Sequence, residues 1–262
     1  MARNWNALKM ESNNKVSICI SHFNRPLALK QAILGINKFI RPNYCNIEVL
    51  VSDDGSSKEN VDDISKIDGI DKLLFNEHIG GGSNNNKLIC NCSGDYIIWH
   101  QDDFECLGYD NFIEDCIILS EVENCGIIRL SGFNGKFEKT PFRIDRMPED
   151  TKPGFRYELK EHVGIPYAEA IRESDELVKV RGDLRCLYSD HPHFKTRKFI
   201  EKIGLYKEGA SIWRSEGDFV ERYWNDGFKT IFWGNLIVSS NFKTTKTILS
   251  DKEQELINRN IL

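Results

Sequence analysis

Residues 93 to 105, SGDYIIWHQDDFE, set an apolar run directly against two adjacent acids. The run from Tyr96 to Trp99 has the length and composition of a buried strand, and Asp102 and Asp103 follow its end. Adjacent carboxylates repel each other, so this placement indicates either a nearby cation or a solvated loop start. Carboxylate oxygens suit Mg²⁺ or Mn²⁺, which makes this strand end a candidate metal site.

The same pattern of an apolar strand with a polar tip occurs twice upstream. VSICIS (16–21) precedes a segment of helical periodicity with Pro26 near its start, and IEVLVSDDGSS (47–57) ends in two acids and a glycine turn. KLLF (72–75) reads as a third strand, and a glycine- and asparagine-rich loop leads through a short helix to the fourth. Apolar strands alternating with helices predict an α/β fold with a parallel sheet covered on both faces.

Polar residues at the strand ends mark the predicted ligand crevice. In parallel α/β sheets, ligands bind beyond the carboxyl ends of the strands. The residues at these ends are Ser21, His22 and Asn24 after the first strand, Asp53 and Asp54 after the second, and Asp102 and Asp103 after the fourth. We expect them to converge on one edge of the sheet.

Composition limits the classes of partner. The 262 residues suffice for one main domain, and the net charge of -5 argues against a nucleic-acid partner. Eight cysteines without a CxxC pair favour reduced thiols.

No stretch resembles a signal peptide or approaches the ~18 apolar residues of a membrane span, which predicts a cytoplasmic protein. A partner or a lipid-linked substrate could still bring it to the inner face of the membrane.

The second half of the chain has a different character. Residues 134–182 carry many charges and little periodicity, which indicates an irregular excursion. KTRKFIEKIGLY (195–206) and SEGDFVERYWNDGF (215–228) then predict two helices, each closed by a glycine at the C-cap position, Gly204 and Gly227.

Together, the motifs SHFNRP, SDDGSS and GDYIIWHQDD resemble those of inverting family 2 glycosyltransferases of the GT-A fold. The resemblance covers about residues 15–105 and resumes over 188–234. It implies a single GT-A domain over 1–262, with a Rossmann-like, mostly parallel central sheet flanked by helices. Residues 15–105 would be the nucleotide-sugar half, and 106–262 the acceptor and catalytic-base half.

The resemblance implies donor contacts at the ends of the first two strands. Ser21, Phe23 and Asn24 match positions that contact the base and ribose, although they could simply form the turn. Asp54 matches an acid that accepts a hydrogen bond from uracil; its alternative role is to cap the next helix. Asn86 matches an asparagine that lies near the nucleotide. Because Asn84, Asn85 and Asn86 are consecutive, the match could be shifted by one residue. Gly80 to Gly82 either allow close ligand approach or form a flexible loop.

The metal motif departs from the family's usual Asp-x-Asp because Gln101 occupies its first position. The resemblance assigns Asp103 to a Mn²⁺ or Mg²⁺ ion and Asp102 to donor contacts. Loss of one acid should weaken the affinity for the metal, and it leaves open whether activity depends on metal.

The resemblance places the catalytic base near the start of the last predicted helix. Counting back from Arg222 and Gly227 gives Glu216, with Asp218 as its competitor; either could instead stabilise the helix N-terminus. Trp213 could offer an apolar face to an acceptor sugar or pack in the core. His191 or His193 could help to hold metal or diphosphate, or could be structural.

The resemblance implies an inverting hexosyltransferase in polysaccharide or glycoconjugate biosynthesis, with a divalent metal as its expected cofactor. It would move a sugar from a UDP-linked donor to a hydroxyl of a glycan or lipid-linked acceptor, with the acceptor pocket shaped by 134–182. A non-catalytic nucleotide-sugar or glycan-binding protein on the same fold is the alternative, motivated by Gln101. A nucleotidyltransferase ranks last because SHFNRP lacks glycines, and a dehydrogenase is excluded because no GxGxxG follows the first strand.

Overall fold

The computed structural model describes residues 14–40, 45–106, 112–121, 125–130, 143–145, 158–161, 191–210, 212–226, 228–232 and 237–239. Most of the predicted excursion at 134–182 lies outside these ranges, as do the first thirteen residues and Gly227. In the described ranges, no helix is both long enough and apolar enough to cross a lipid bilayer.

Four strands of the first half form a parallel sheet in the order β3-β2-β1-β4. Their bounds are β1, Asn14–His22; β2, Cys45–Asp53; β3, Lys72–Phe75; and β4, Tyr96–Gln101. Ile18, Val51 and Ile98 at the strand centres are inaccessible to solvent. Strands buried on both faces need apolar residues at successive positions, which explains the continuous apolar runs. The predicted α/β fold with its parallel strands is confirmed.

Helices cover both faces of this sheet. They are α1, Pro26–Phe39; α2, Lys58–Ile64; α3, Gly81–Asn91; α4, Phe112–Ser120; α5, Arg197–Ile203; and α6, Ile212–Asn225. Helices α1, α2 and α4 share one apolar core with the sheet, and α3, α5 and α6 share the other. The two cores hold the strand ends in fixed positions relative to each other.

Local signals explain several helix boundaries. Pro26 occupies the first turn of α1, where its missing N–H costs no hydrogen bond. Ser57 and Thr196 cap α2 and α5 by accepting hydrogen bonds from backbone N–H groups. Gly204 ends α5 with φ +85°, a conformation that favours glycine. The predicted roles of Pro26 and Gly204 are confirmed.

The second half extends the sheet through an inserted antiparallel strand. Its strands are β6, Cys125–Arg129; β7, Arg143–Asp145; β8, Glu158–Glu161; β9, His193–Thr196; and β10, Lys229–Phe232. The full order is β3-β2-β1-β4-β9-β6-β10-β8-β7, with β9 antiparallel to both of its neighbours. A separate two-stranded sheet joins β5 (Phe104–Cys106) to β11 (Ile237–Ser239).

The helix expected over 195–206 is shorter than its sequence indicates. Residues 193–196 form β9, and α5 begins at Arg197. Phe194 is fully buried between β4 and β6, which hydrogen-bond to both edges of β9. Ladder hydrogen bonds on two sides override the helical propensity of this segment.

Candidate active site

The structure brings the polar tips of β1, β2 and β4 to one edge of the sheet. In the strand register, Ser21 lies opposite Ser52 on one side and Gln101 on the other, and His22 lies opposite Asp53. Asp102 and Asp103 continue the chain directly beyond β4. The strand order therefore makes neighbours of acids that are about fifty residues apart in sequence.

Asp102 and Asp103 share the guanidinium of Arg25. Arg25 Nη1 donates to Asp103 Oδ2 at 2.9 Å, Nε donates to Asp102 Oδ2 at 3.2 Å, and Nη2 forms an ion pair with Asp102. Burial by itself lowers the pKa of Arg25, but the charges of the two carboxylates outweigh burial and hold that pKa above its ordinary value. Sequence analysis assigned Arg25 no part in this centre, and its position before Pro26 gave no signal of one.

His22 connects the two acidic motifs. Its Nδ1 lies 2.8 Å from Asp102 Oδ2, and its Nε2 lies 3.9 Å from Asp53 Oδ1. All three side chains are almost completely buried. His22 and Arg25 together hold the buried carboxylate of Asp102 in place.

Asp103 differs from Asp102 in exposure. Its side chain is 36% exposed, and its Oδ1 is buried without a hydrogen-bond partner among the described residues. A carboxylate oxygen without a donor is a suitable ligand for a hard divalent cation. Within the described ranges, no group of three or more His, Cys, Asp or Glu residues could hold a metal by itself. Asp103 could therefore supply one ligand through Oδ1, and a metal there would need its other ligands from substrate and water.

Asp54 contacts His78 and two backbone N–H groups. Its Oδ1 accepts hydrogen bonds from the backbone N–H groups of Ile79 (2.8 Å) and Gly80 (3.2 Å), and its Oδ2 lies 3.4 Å from His78 Nδ1. The rings of His78 and Phe23 are 5.1 Å apart between centroids. A carboxylate next to a pair of neighbouring planar rings suits a heterocycle that donates an N–H group.

Asn24 and Ser21 participate in hydrogen bonds between the strand ends. Asn24 has φ +53°, and its Oδ1 accepts from the backbone N–H of Ser57 and from Asn60 Nδ2. Ser21 Oγ accepts from Asn84 Nδ2 at 2.9 Å. These bonds tie the turn after β1 to α2 and α3.

The three consecutive asparagines lie inside α3, where all of them are buried. Asn84 reaches the strand ends, where its Oδ1 also accepts from Ser52 Oγ at 2.6 Å. The amide of Asn86 bonds instead to the backbone N–H and carbonyl of Tyr206 and to Glu208. The nucleotide contact expected of Asn86 stays a prediction, and Asn84 is the asparagine bonded to Ser21.

The two candidate bases on α6 have different surroundings. Asp218 Oδ2 accepts from Arg222 Nη2 at 2.8 Å and from Nε at 3.0 Å, and Arg222 in turn donates to the carbonyl of Leu205. Glu216 is partly buried. Burial of Tyr206 is the main cause of its raised pKa, and the negative charge of Glu216 raises that pKa further. Asp218 therefore orients Arg222, and Glu216 lies towards Tyr206. Trp213 lies in α6, but its side chain is outside the described part of the chain.

Lys195 is a buried cation that sequence analysis missed. Its Nζ lies over the rings of Trp99 (4.4 Å to the centroid), Tyr206 (5.5 Å) and Phe219 (5.8 Å). Aromatic faces stabilise a desolvated ammonium. Because Phe219 and Glu216 are three residues apart on α6, they share one side of the helix, which faces this aromatic cluster.

The two histidines before and within β9 are not equivalent. Burial lowers the pKa of His191 to about 4, with Arg129 adding to the shift and Asp103 opposing it, so His191 lies within electrostatic range of the acidic centre. Burial also holds the pKa of His193 well below its ordinary value. The Nδ1 of His193 contacts the carbonyl of His191 at 2.8 Å. Any role for either in binding metal or diphosphate stays a prediction.

Comparisons with known proteins agree with this architecture. Residues 17–169 match the family model described as Glycosyl transferase family 2. A search of curated proteins finds no significant match.

Several solved structures share the fold. The mannosyltransferase PcManGT from Pyrobaculum calidifontis, in complex with GDP-Man and Mn²⁺, is 11% identical, with a TM-score of 0.56 over 93% of this chain and 63% of that one. S. aureus TarS is 14% identical, with a TM-score of 0.55 over 86% and 60%. GalNAc-T7 with UDP, GalNAc and Mn²⁺ is 15% identical, with a TM-score of 0.59 over 87% and 44%.

These similarities establish the fold, which is GT-A. The chain spans less than two thirds of the length of each of these three chains.

Proposed function

Because the chain belongs to glycosyl transferase family 2, we propose that it transfers a sugar from a nucleotide diphosphate donor to a hydroxyl group, with inversion at the anomeric carbon. The observation that carries the proposal is that Asp54, Asp102 and Asp103 follow the carboxyl ends of β2 and β4, the two parallel strands that flank β1. Ligands bind at this edge in α/β sheets, and these acids suit a nucleobase, a sugar and a metal respectively.

The donor would lie across the ends of β1, β2 and β4. Asp54 would accept the N–H of the base, as uracil offers, with Phe23 and His78 supplying planar contacts. Ser21 and Asn24 would border the base and ribose, and Asp102 would meet the ribose or the sugar once Arg25 turns away from it. This arrangement favours UDP.

Asp103 would hold Mn²⁺ or Mg²⁺ together with the donor diphosphate and water. When bound, the ion offsets the negative charge that develops on the departing diphosphate. Gln101 adds no charge to the site, so Asp103 is the main protein contribution to metal binding.

Glu216 would act as the general base. Its carboxylate takes the proton of the acceptor hydroxyl, whose oxygen forms a bond to the anomeric carbon as the bond from that carbon to the diphosphate oxygen breaks. The nucleoside diphosphate leaves from the opposite face, which inverts the configuration. Asp218 is the less suitable base because Arg222 binds it.

The acceptor would be a glycan or lipid-linked hydroxyl on the side of the sheet beyond β4, where Trp213 on α6 would meet the acceptor sugar. A lipid-linked acceptor would bring this protein to the inner face of the membrane from the cytoplasm. The products would serve polysaccharide or glycoconjugate biosynthesis.

An assay of nucleotide release tests the proposal. We expect the protein to release UDP slowly from at least one UDP-sugar with Mn²⁺, and faster with an acceptor. GDP-sugars belong in the same panel because PcManGT was crystallised with GDP-Man. Asp103→Asn should lose the Mn²⁺-stimulated rate. Saturable binding of nucleotide sugars without release in any combination would instead identify a binding protein.

A further inference from the structure

Arg25 is held against both carboxylates that border the predicted metal position. Its guanidinium contacts Asp103 Oδ2 at 2.9 Å and both oxygens of Asp102, and its side chain is only 27% exposed. Arg25 is also the N-cap residue of α1, directly before Pro26. The start of α1, whose apolar side packs on the sheet, therefore fixes where this cation is anchored.

A divalent cation and this guanidinium compete for the same acid. Asp103 has two oxygens: Oδ2 binds Arg25, and Oδ1 is buried without a hydrogen-bond donor among the described residues. A metal on Oδ1 alone would lie beside a fixed positive charge, and a metal that needs Oδ2 must displace Arg25. Both cases lower the affinity for the metal.

Charge counting points in the same direction. Asp102 and Asp103 carry two negative charges and Arg25 one positive charge, while Gln101 contributes none. A dication alone would therefore change the net charge of these three side chains from −1 to +1, which their partly buried surroundings disfavour. A nucleoside diphosphate restores the balance, because it supplies anionic oxygens both to the metal and to a planar guanidinium that suits phosphate.

We propose that Arg25 is an internal counter-ion that makes binding of the divalent cation and binding of the nucleoside diphosphate depend on each other. Without the diphosphate, Arg25 occupies Asp102 and Asp103 and opposes the metal. With the diphosphate present, the guanidinium turns to the phosphate oxygens and leaves Asp103 to the metal. The diphosphate part of this inference rests on the proposed function, whereas the competition between Arg25 and metal does not.

The test is a titration of Mn²⁺, followed by the signal of the free ion in electron paramagnetic resonance, with and without UDP. In Arg25→Gln without UDP, we expect Mn²⁺ to bind about tenfold more tightly than in wild type, because the competing charge is gone. Saturating UDP should strengthen Mn²⁺ binding in wild type by a larger factor than in Arg25→Gln, since the coupling depends on Arg25.

Two further variants keep the test specific. Arg25→Lys keeps the positive charge but loses the planar guanidinium. Its affinity for Mn²⁺ should lie between those of wild type and Arg25→Gln. Lys30→Gln removes an exposed charge from the same helix and should bind Mn²⁺ as wild type does. Circular dichroism checks that each variant is folded.

Unchanged or weaker Mn²⁺ binding by folded Arg25→Gln and Arg25→Lys would overturn the inference, as would absence of Mn²⁺ binding in every protein. The titration involves no sugar transfer. If the affinities change as expected but no nucleotide sugar turns over, the competition survives and the proposed function fails.

Discussion

Glu216 and Asp218 are two residues apart on α6, yet their neighbours differ. Asp218 binds Arg222, which also donates to the carbonyls of Ile203 and Leu205 at the end of α5. Asp218 therefore helps to fasten α6 to α5. The charge of Glu216 instead raises the pKa of Tyr206, so the two acids should give different results in a mutational test.

We expect Glu216→Gln to bind donor as wild type does and to lose transfer by at least about a hundredfold, because the amide cannot take the acceptor proton. Asp218→Asn should keep most of the transfer rate and lose about 1 kcal/mol or less of unfolding free energy, since its side chain is 37% exposed and solvent screens its ion pair. The measurements are donor titration, initial rates and denaturant unfolding. An inactive Asp218→Asn with an active Glu216→Gln would reverse the assignment.

Whether the role of a site residue could be predicted depended on how far along the chain its contact partners lie. Asp102 and Asp103 at the end of β4 could be predicted because an apolar run and the acids after it are adjacent in the chain. Their partners His22 and Arg25 are nearly eighty residues earlier, and no local pattern connects them. The same limit applies to Asn84, whose contact with Ser21 follows from the packing of α3 on the sheet.

At the scale of elements, the first turn of α3 packs closely against α6. A Cβ added to Gly82 would lie 2.5 Å from Ser215 Oγ and 2.7 Å from the carbonyl oxygen of Lys207. In the sequence, Gly80 to Gly82 are compatible with a close ligand approach or a flexible loop; in the structure, Gly82 allows the two helices to pack closely.

Gly82→Ala should therefore lower the unfolding free energy by about 1–3 kcal/mol, because a backbone carbonyl cannot move as a side chain can. Ser215→Ala on the opposite side of the contact is the control. Its hydroxyl has no hydrogen-bond partner among the described residues, so we expect a change within about 0.5 kcal/mol. Denaturant unfolding measures both, and a Gly82→Ala protein as stable as wild type would contradict the packing described here.

The elements that could be predicted are those whose apolar pattern is long enough to recognise. Strands β1 and β2 each have nine residues with continuous apolar cores. Strand β9 has four, and two of them are His193 and Lys195, which read as surface residues. Lys195 is buried only because rings from β4, α6 and the segment after α5 surround it. That environment exists only in the folded protein.

Buried histidines make the stability of the whole molecule depend on pH. Burial lowers the pKa of the inaccessible His100 to about 4, against 6.5 for an ordinary histidine. Between these values the unfolded chain binds more protons than the folded one, so stability falls as pH decreases from 6.5 to 4. His193 contributes in the same direction.

We expect His100 alone to contribute a loss of about 3 kcal/mol across this range, at most. Urea unfolding at pH 7, 5 and 4 should show a smaller loss in His100→Gln than in wild type, whereas Lys30→Gln should keep the wild-type slope. Equal slopes in His100→Gln and wild type would contradict this assignment, because they would show that the pKa of His100 is the same in the folded and unfolded protein.

The place of β9 between β4 and β6 has a consequence for cotranslational folding. When Gln101 has left the ribosome, the strands β1 to β4 can already pair, but the outer edge of β4 waits for His193–Thr196, roughly 90 residues later. At about 5–20 residues per second, that edge stays unpaired for on the order of 5–20 s. A nascent chain interrupted in this interval exposes a ready template for aggregation, so chaperone demand should peak before β9 emerges.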